Sequence, residues 1–163
     1  MVLRSIYLEQ GGLVEEMELQ FRRAKRGGDG AKFEKRFGAY FPRAFAYAYS
    51  NLGDEPGACE VVSAALSQVF SERPGVDEEC FRIELFTALR DICQARKRKM
   101  PLDVGLSPSQ REVITLTFDG GLTSSEVDQV LGTDTAALLL TSALCRLRET
   151  SSPSIIPSFY RLP

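Results

Sequence analysis

The sequence predicts an all-α chain built as two small helical domains joined by a short linker. Three observations carry that prediction. Apolar residues return at steps of three and four through most of the 163 residues, the spacing that keeps one helix face apolar. Glycine, proline and capping side chains punctuate these stretches where helices should start and stop. Near the C-terminal end, two short helical stretches meet at a tight glycine turn, the sequence form of a helix-turn-helix. The expected boundaries are an N-terminal arm over residues 1–12, a helical domain over 13–99, a linker over 100–105, a helix-turn-helix domain over 106–149 and an extended tail over 150–163.

Composition narrows the function classes. At 44% hydrophobic and 26% charged residues, the chain can build one compact domain or two small ones. No apolar run approaches the roughly 18 residues of a membrane span, and the N-terminus lacks a signal-peptide pattern, so a soluble, cytoplasmic protein with no membrane partner is expected. Cys59, Cys80, Cys93 and Cys145 lie far apart within apolar helical patterns and read as core thiols. The chain has no histidine, which removes the commonest general base and metal ligand. There is also no glycine-rich phosphate loop and no clustered set of metal ligands. An enzyme is therefore not expected, and neither is a metal or cofactor. With a net charge of −2, any nucleic-acid contact has to come from a local basic patch.

In chain order, Ile6, Tyr7 and Leu8 form a weak apolar stretch ending at Gly11-Gly12, readable as an arm or a short packing strand. Leu13, Met17 and Phe21 mark a first amphipathic helix over residues 13–26, closed by cations that suit a helix C-terminus. A second helix over 31–51 carries Phe33, Phe37, Tyr40, Phe41, Ala44, Phe45 and Ala48 on one broad face, an aromatic core stripe. Pro42 lies inside it and should kink it or divide it into two pieces. Residues 53–57 break the chain. A third helix over 58–71 is apolar at Val61, Val62, Ala65, Leu66, Val69 and Phe70, and a fourth over 77–97 at Phe81, Leu85, Ala88, Leu89, Ile92 and Cys93. Arg96-Lys97-Arg98-Lys99 ends the fourth helix.

The C-terminal stretch is the most explicit. Ser107 caps a helix with Pro108 at its first position, where the missing N–H costs nothing. Asp119-Gly120-Gly121 stops it. Thr123 and Glu126 form a capping box for the next helix, Gly132 ends that one, and Asp134 is placed to cap a last helix running to about Arg148.

These residues resemble a family. Leu106-Ser107-Pro108 with Gln110-Arg111-Glu112-Val113, then Gly121-Leu122-Thr123, Glu126-Val127 and Val130-Leu131-Gly132, are similar to the C-terminal promoter-reading domain (region 4) of extracytoplasmic-function sigma factors of RNA polymerase. The larger half resembles that family's other helical domain (region 2) through Phe21-Arg22-Arg23-Ala24, Phe33-Glu34, Leu52-Gly53-Asp54, Phe81-Arg82, Leu85-Phe86 and Arg90. The resemblance spans residues 13–149 and implies a divergent sigma-factor-like protein acting in transcription initiation. It implies polymerase-core contact through Asp54, Glu60, Val62 and Leu66. It also implies nucleic-acid contact through Arg82 and Arg90, to which the basic run Arg96, Lys97, Arg98 and Lys99 adds its own cations.

Departures from the family pattern support a second expectation. A recognition helix needs cations or amides near its start, yet this one opens Thr135-Ala136-Ala137-Leu138-Leu139-Leu140-Thr141-Ser142, with no cation before Arg146. Leu138, Leu139 and Leu140 stand about 100° apart around a helix and cannot all face a core. With the apolar tail residues Ile155, Ile156, Phe159 and Tyr160, they form a candidate partner or interdomain surface. The six linker residues span roughly 20 Å at full stretch, whereas a duplex turn is about 34 Å, so the halves should pack together. Two readings therefore stand: a promoter-binding sigma factor that engages core polymerase, or a sigma mimic that occupies an anti-sigma factor or another protein. Promoter DNA remains a possible partner through the N-terminal domain.

Overall fold

The computed structural model describes residues 30–72, 75–96 and 105–151, and every regular element among them is helical. In order these are α1 (Gly30–Leu52), α2 (Glu55–Glu72), α3 (Glu78–Ala95), α4 (Pro108–Ile114) continuing into a π-helical turn (Thr115–Asp119), α5 (Ser124–Leu131) and α6 (Ala136–Ser151). The arm, the helix expected over 13–26, Lys97, Arg98, Lys99, most of the linker, and the tail with Ile155, Ile156, Phe159 and Tyr160 lie outside the described residues.

Capping chemistry sets the helix starts. Ser107 Oγ accepts the Gln110 amide while Gln110 Oε1 accepts the Ser107 amide at 3.0 Å, and Thr123 and Glu126 repeat the exchange at α5. Gly132 ends α5 in the left-handed conformation, φ 65°. Asp77 caps α3 by accepting the Cys80 amide at 2.9 Å.

Three expectations change. Pro42 neither splits nor ends α1, which runs 23 residues through it. The carbonyl that loses its donor belongs to Gly38, and both residues are solvent-exposed, so water can satisfy it. The break expected over 53–57 shrinks to Gly53 and Asp54: Gly53 takes φ 75° and Asp54 Oδ1 accepts the Gly57 amide at 2.7 Å, starting α2 at Glu55. A Cβ on Gly57 would lie 2.6 Å from that carboxylate, so a larger residue there would push the Asp54 side chain aside. At α6 the first amide, of Ala136, goes to Asp128 Oδ1 on α5 at 2.9 Å rather than to Asp134.

The buried side chains of the two halves form one cluster. Tyr47 on α1, Val61 and Val62 on α2, and Phe81, Leu85, Phe86 and Leu89 on α3 are buried together with Val113, Leu116, Leu122, Val127 and Ala136 of the C-terminal half. Each valine, leucine and phenylalanine among them contributes about 1.5–3 kcal/mol of burial. The halves meet where α1 packs on the π-helical turn and α3 on α5. Tyr47 and Phe86 lie edge to face at 5.8 Å, and a Cβ on Gly120 would come within 2.9 Å of Phe86. Gly121, at φ 66°, leaves room for the Arg43 guanidinium, which would lie 2.8 Å from a Cβ there. The two glycines that stop the first helix of the turn thus also let it approach the N-terminal helices.

Candidate interaction surface

The contact between the halves is apolar at its centre and ionic along α3. Glu126, 3% exposed, holds the amide and hydroxyl of Thr123, each at 2.8 Å, and also receives the Arg82 guanidinium. Burial pushes the Glu126 carboxyl up. The Thr123 hydrogen bonds and the Arg82 charge outweigh burial and hold the group below its ordinary range. Two turns along α3, Arg90 Nε donates to Glu112 Oε1 on α4 at 2.8 Å, joined by Gln94 Nε2 at 3.2 Å. At the end of α1, Ser50 Oγ donates to Asp119 Oδ2 of the π-helical turn at 2.7 Å.

Of the expected nucleic-acid contacts, the three among the described residues are engaged within the fold. Arg82 and Arg90 pair with acids of the helix-turn-helix, and Arg96 Nη2 lies 2.9 Å from Glu60 Oε2 on α2. The expected polymerase contacts are distributed differently from expectation. Glu60 holds Arg96 and Asp54 caps α2, while Val62 and Leu66 belong to the core at 0% and 2% exposure. Val62 and Leu66 are corrected to packing residues, because the α2 face that bears them is the one covered by its neighbours.

The three leucines of α6 separate as helix geometry requires. Leu139 and Leu140 pack half-buried against the core, with Ala136 and Ala143 fully inside. Leu138 stands 72% exposed and Leu144 43% exposed on the opposite side. Arg146, the first cation of α6, donates to the Gly105 carbonyl at 2.9 Å. Gln110 anchors α6 from the side, its Nε2 donating to Ser142 Oγ at 2.8 Å while its Oε1 caps α4.

Of the four cysteines expected as core thiols, only Cys93 is buried. Cys59 is half-covered, and Cys80 and Cys145 are exposed. Phe81, next to Cys80, and Ala143, two residues before Cys145, hold inward positions, so their helices turn these cysteines outward. The sequence pattern missed Glu112, Asp119 and the second role of Glu126, which it showed only as a capping residue. It also missed two exposed aromatics at the junction, Tyr49 and Phe118, which adjoin the Ser50–Asp119 contact.

Among the described residues, no group of three or more histidine, cysteine, aspartate or glutamate side chains is placed to hold a metal ion, and no single helix is long and apolar enough to cross a membrane. No family model matches the chain, and neither a curated protein nor a solved structure does.

Proposed function

We propose that the protein is a sigma-factor-like regulator of transcription initiation that acts through protein contact rather than by reading promoter DNA. One observation carries this reading. Arg82 and Arg90, the cations that the sigma-factor resemblance assigns to the promoter, are paired with Glu126 and Glu112 of the chain's own helix-turn-helix. Affinity for duplex rests on cations that displace counterions from phosphates, and a cation held by a buried or half-buried carboxylate displaces none. The opening turns of α6 support the same reading, since they offer Leu138 and Thr141 where base-reading side chains would stand.

An anti-sigma factor or similar protein partner fits better than core polymerase. The acids that would meet polymerase are engaged, Asp54 as a cap and Glu60 with Arg96, and their apolar companions are buried. The test uses the full chain in two assays. Electrophoretic shift against promoter fragments, with random duplex as competitor, is expected to show no sequence-specific retention at about 150 mM salt. Pull-down with purified core polymerase is expected to recover no stable complex. Specific retention, or a stable holoenzyme, would restore the promoter-binding reading.

A further inference from the structure

The exposed leucines of α6 lie on one oblique ridge. Leu138, Thr141 and Leu144 follow one another at steps of three, all solvent-exposed, and such rows cross a helix at about 45° to its axis. Leu138 and Leu144 are therefore about a third of a turn apart around α6 and roughly 13 Å apart along the ridge. The rows to either side carry short side chains, Ala137 on one and Ser142 and Cys145 on the other, also exposed. An extended backbone can lie close beside such a ridge.

The chain supplies a segment of matching length, spacing and charge. α6 ends at Ser151, and residues 152–163 follow it directly, with Pro153 and Pro157 opposed to any continuation of the helix. Leu144 lies about 10 Å back from Ser151 along α6, and Ile155, four residues past Ser151, reaches as far as roughly 13 Å when the chain is extended. The pairs Ile155-Ile156 and Phe159-Tyr160 are four residues apart, which is again roughly 13 Å of extended chain. That equals the separation of Leu144 from Leu138. Arg161 comes next in the tail, and the exposed Asp134 lies four residues before Leu138. We infer that residues 152–163 fold back along this ridge, with Ile155 and Ile156 at Leu144, Phe159 and Tyr160 at Leu138, and Arg161 beside Asp134. A tethered segment acts at an effective concentration of about millimolar, so a protein that seats on the outer face of α6 has to displace the tail. This contact is independent of the regulatory reading above, because it uses neither the ion pairs of α3 nor any nucleic acid.

A nitroxide on Ser158→Cys, in a full chain carrying Cys59→Ser, Cys80→Ser and Cys145→Ser, reads the contact by NMR. It is expected to broaden the amide signals of Leu138, Thr141 and Leu144 within the same molecule and to spare those of α2. Burial of one leucine is worth about tenfold or more in an equilibrium. Leu138→Asp should therefore lower the ratio of docked to free tail at least about tenfold, and the broadening with it. In the chain truncated after Ser151 the same substitution should leave thermal unfolding unchanged. Asp134→Arg and Arg161→Asp should each weaken the broadening, and the two together should restore it. No broadening on α6 would overturn the inference, as would broadening indifferent to Leu138→Asp, or charge substitutions whose effects simply add. So would broadening that passes from a nitroxide-bearing chain to a separate isotope-labelled chain, because a second copy would then be the occupant.

Discussion

The two sides of the helix-turn-helix are opposites. The side facing α1 and α3 gathers its carboxylates, Glu112, Asp119 and Glu126, each with a partner from the N-terminal helices. The side facing away, on α6, carries exposed leucine and small residues, with the charges Arg148 and Glu149 only in its last turns. A domain that reads DNA needs the reverse, with cations outward and apolar residues inward. Glu112, Asp119 and Glu126 thus hold the helix-turn-helix onto the N-terminal helices.

Three substitutions test that contrast, from the largest effect to the smallest. Leu116→Ala removes a fully buried side chain from the contact between the halves and should lower the unfolding free energy by about 2–5 kcal/mol in denaturant titration. If the halves behaved as separate domains, only a second, local transition would shift, and the single core would be refuted. Arg82→Ala leaves Glu126 buried without its cation and should cost about 2–3 kcal/mol, more than the loss of an exposed pair. Leu138→Ala, on the outward side, should cost no more than about 0.5 kcal/mol in the chain truncated after Ser151. A larger loss there would mean that α6 packs against something other than the tail.

Acid offers a titration of the same contact. The Glu126 carboxyl is held below its ordinary range in the folded state, so its contribution is complete above the unfolded value of about 4.3. That contribution should disappear as pH falls below about 4 and through the folded value. Thermal unfolding followed between neutral pH and about pH 3 should show a steeper acid loss for the unaltered chain than for Glu126→Gln. Equal slopes would mean that the carboxylate draws nothing from Arg82 and Thr123.

Most helix boundaries could be read from local chemistry. Ser107, Thr123 and Gly132 announce themselves because a cap acts on amides three or four residues away. Of the kink or division expected at Pro42, the division does not occur, because the orphaned Gly38 carbonyl lies on the side of α1 that faces solvent. The π-helical turn had no local signature. The candidate surface was legible only in part: three successive leucines required that one face outward, and Leu138 does. The pairing of Arg82 with Glu126 spans 44 positions. Each residue had a sufficient local explanation, a helix-surface cation matching the family resemblance and an acid in a capping box, so nothing in the sequence linked them.

The double duty of Glu126 bears on how the chain is made. Arg82 leaves the ribosome 44 residues ahead of its carboxylate partner, so α3 is complete before the residue that starts α5 emerges. When Thr123 and Glu126 arrive, the nucleation of α5 and its capture by the waiting guanidinium coincide, and the C-terminal half condenses on a platform already in place.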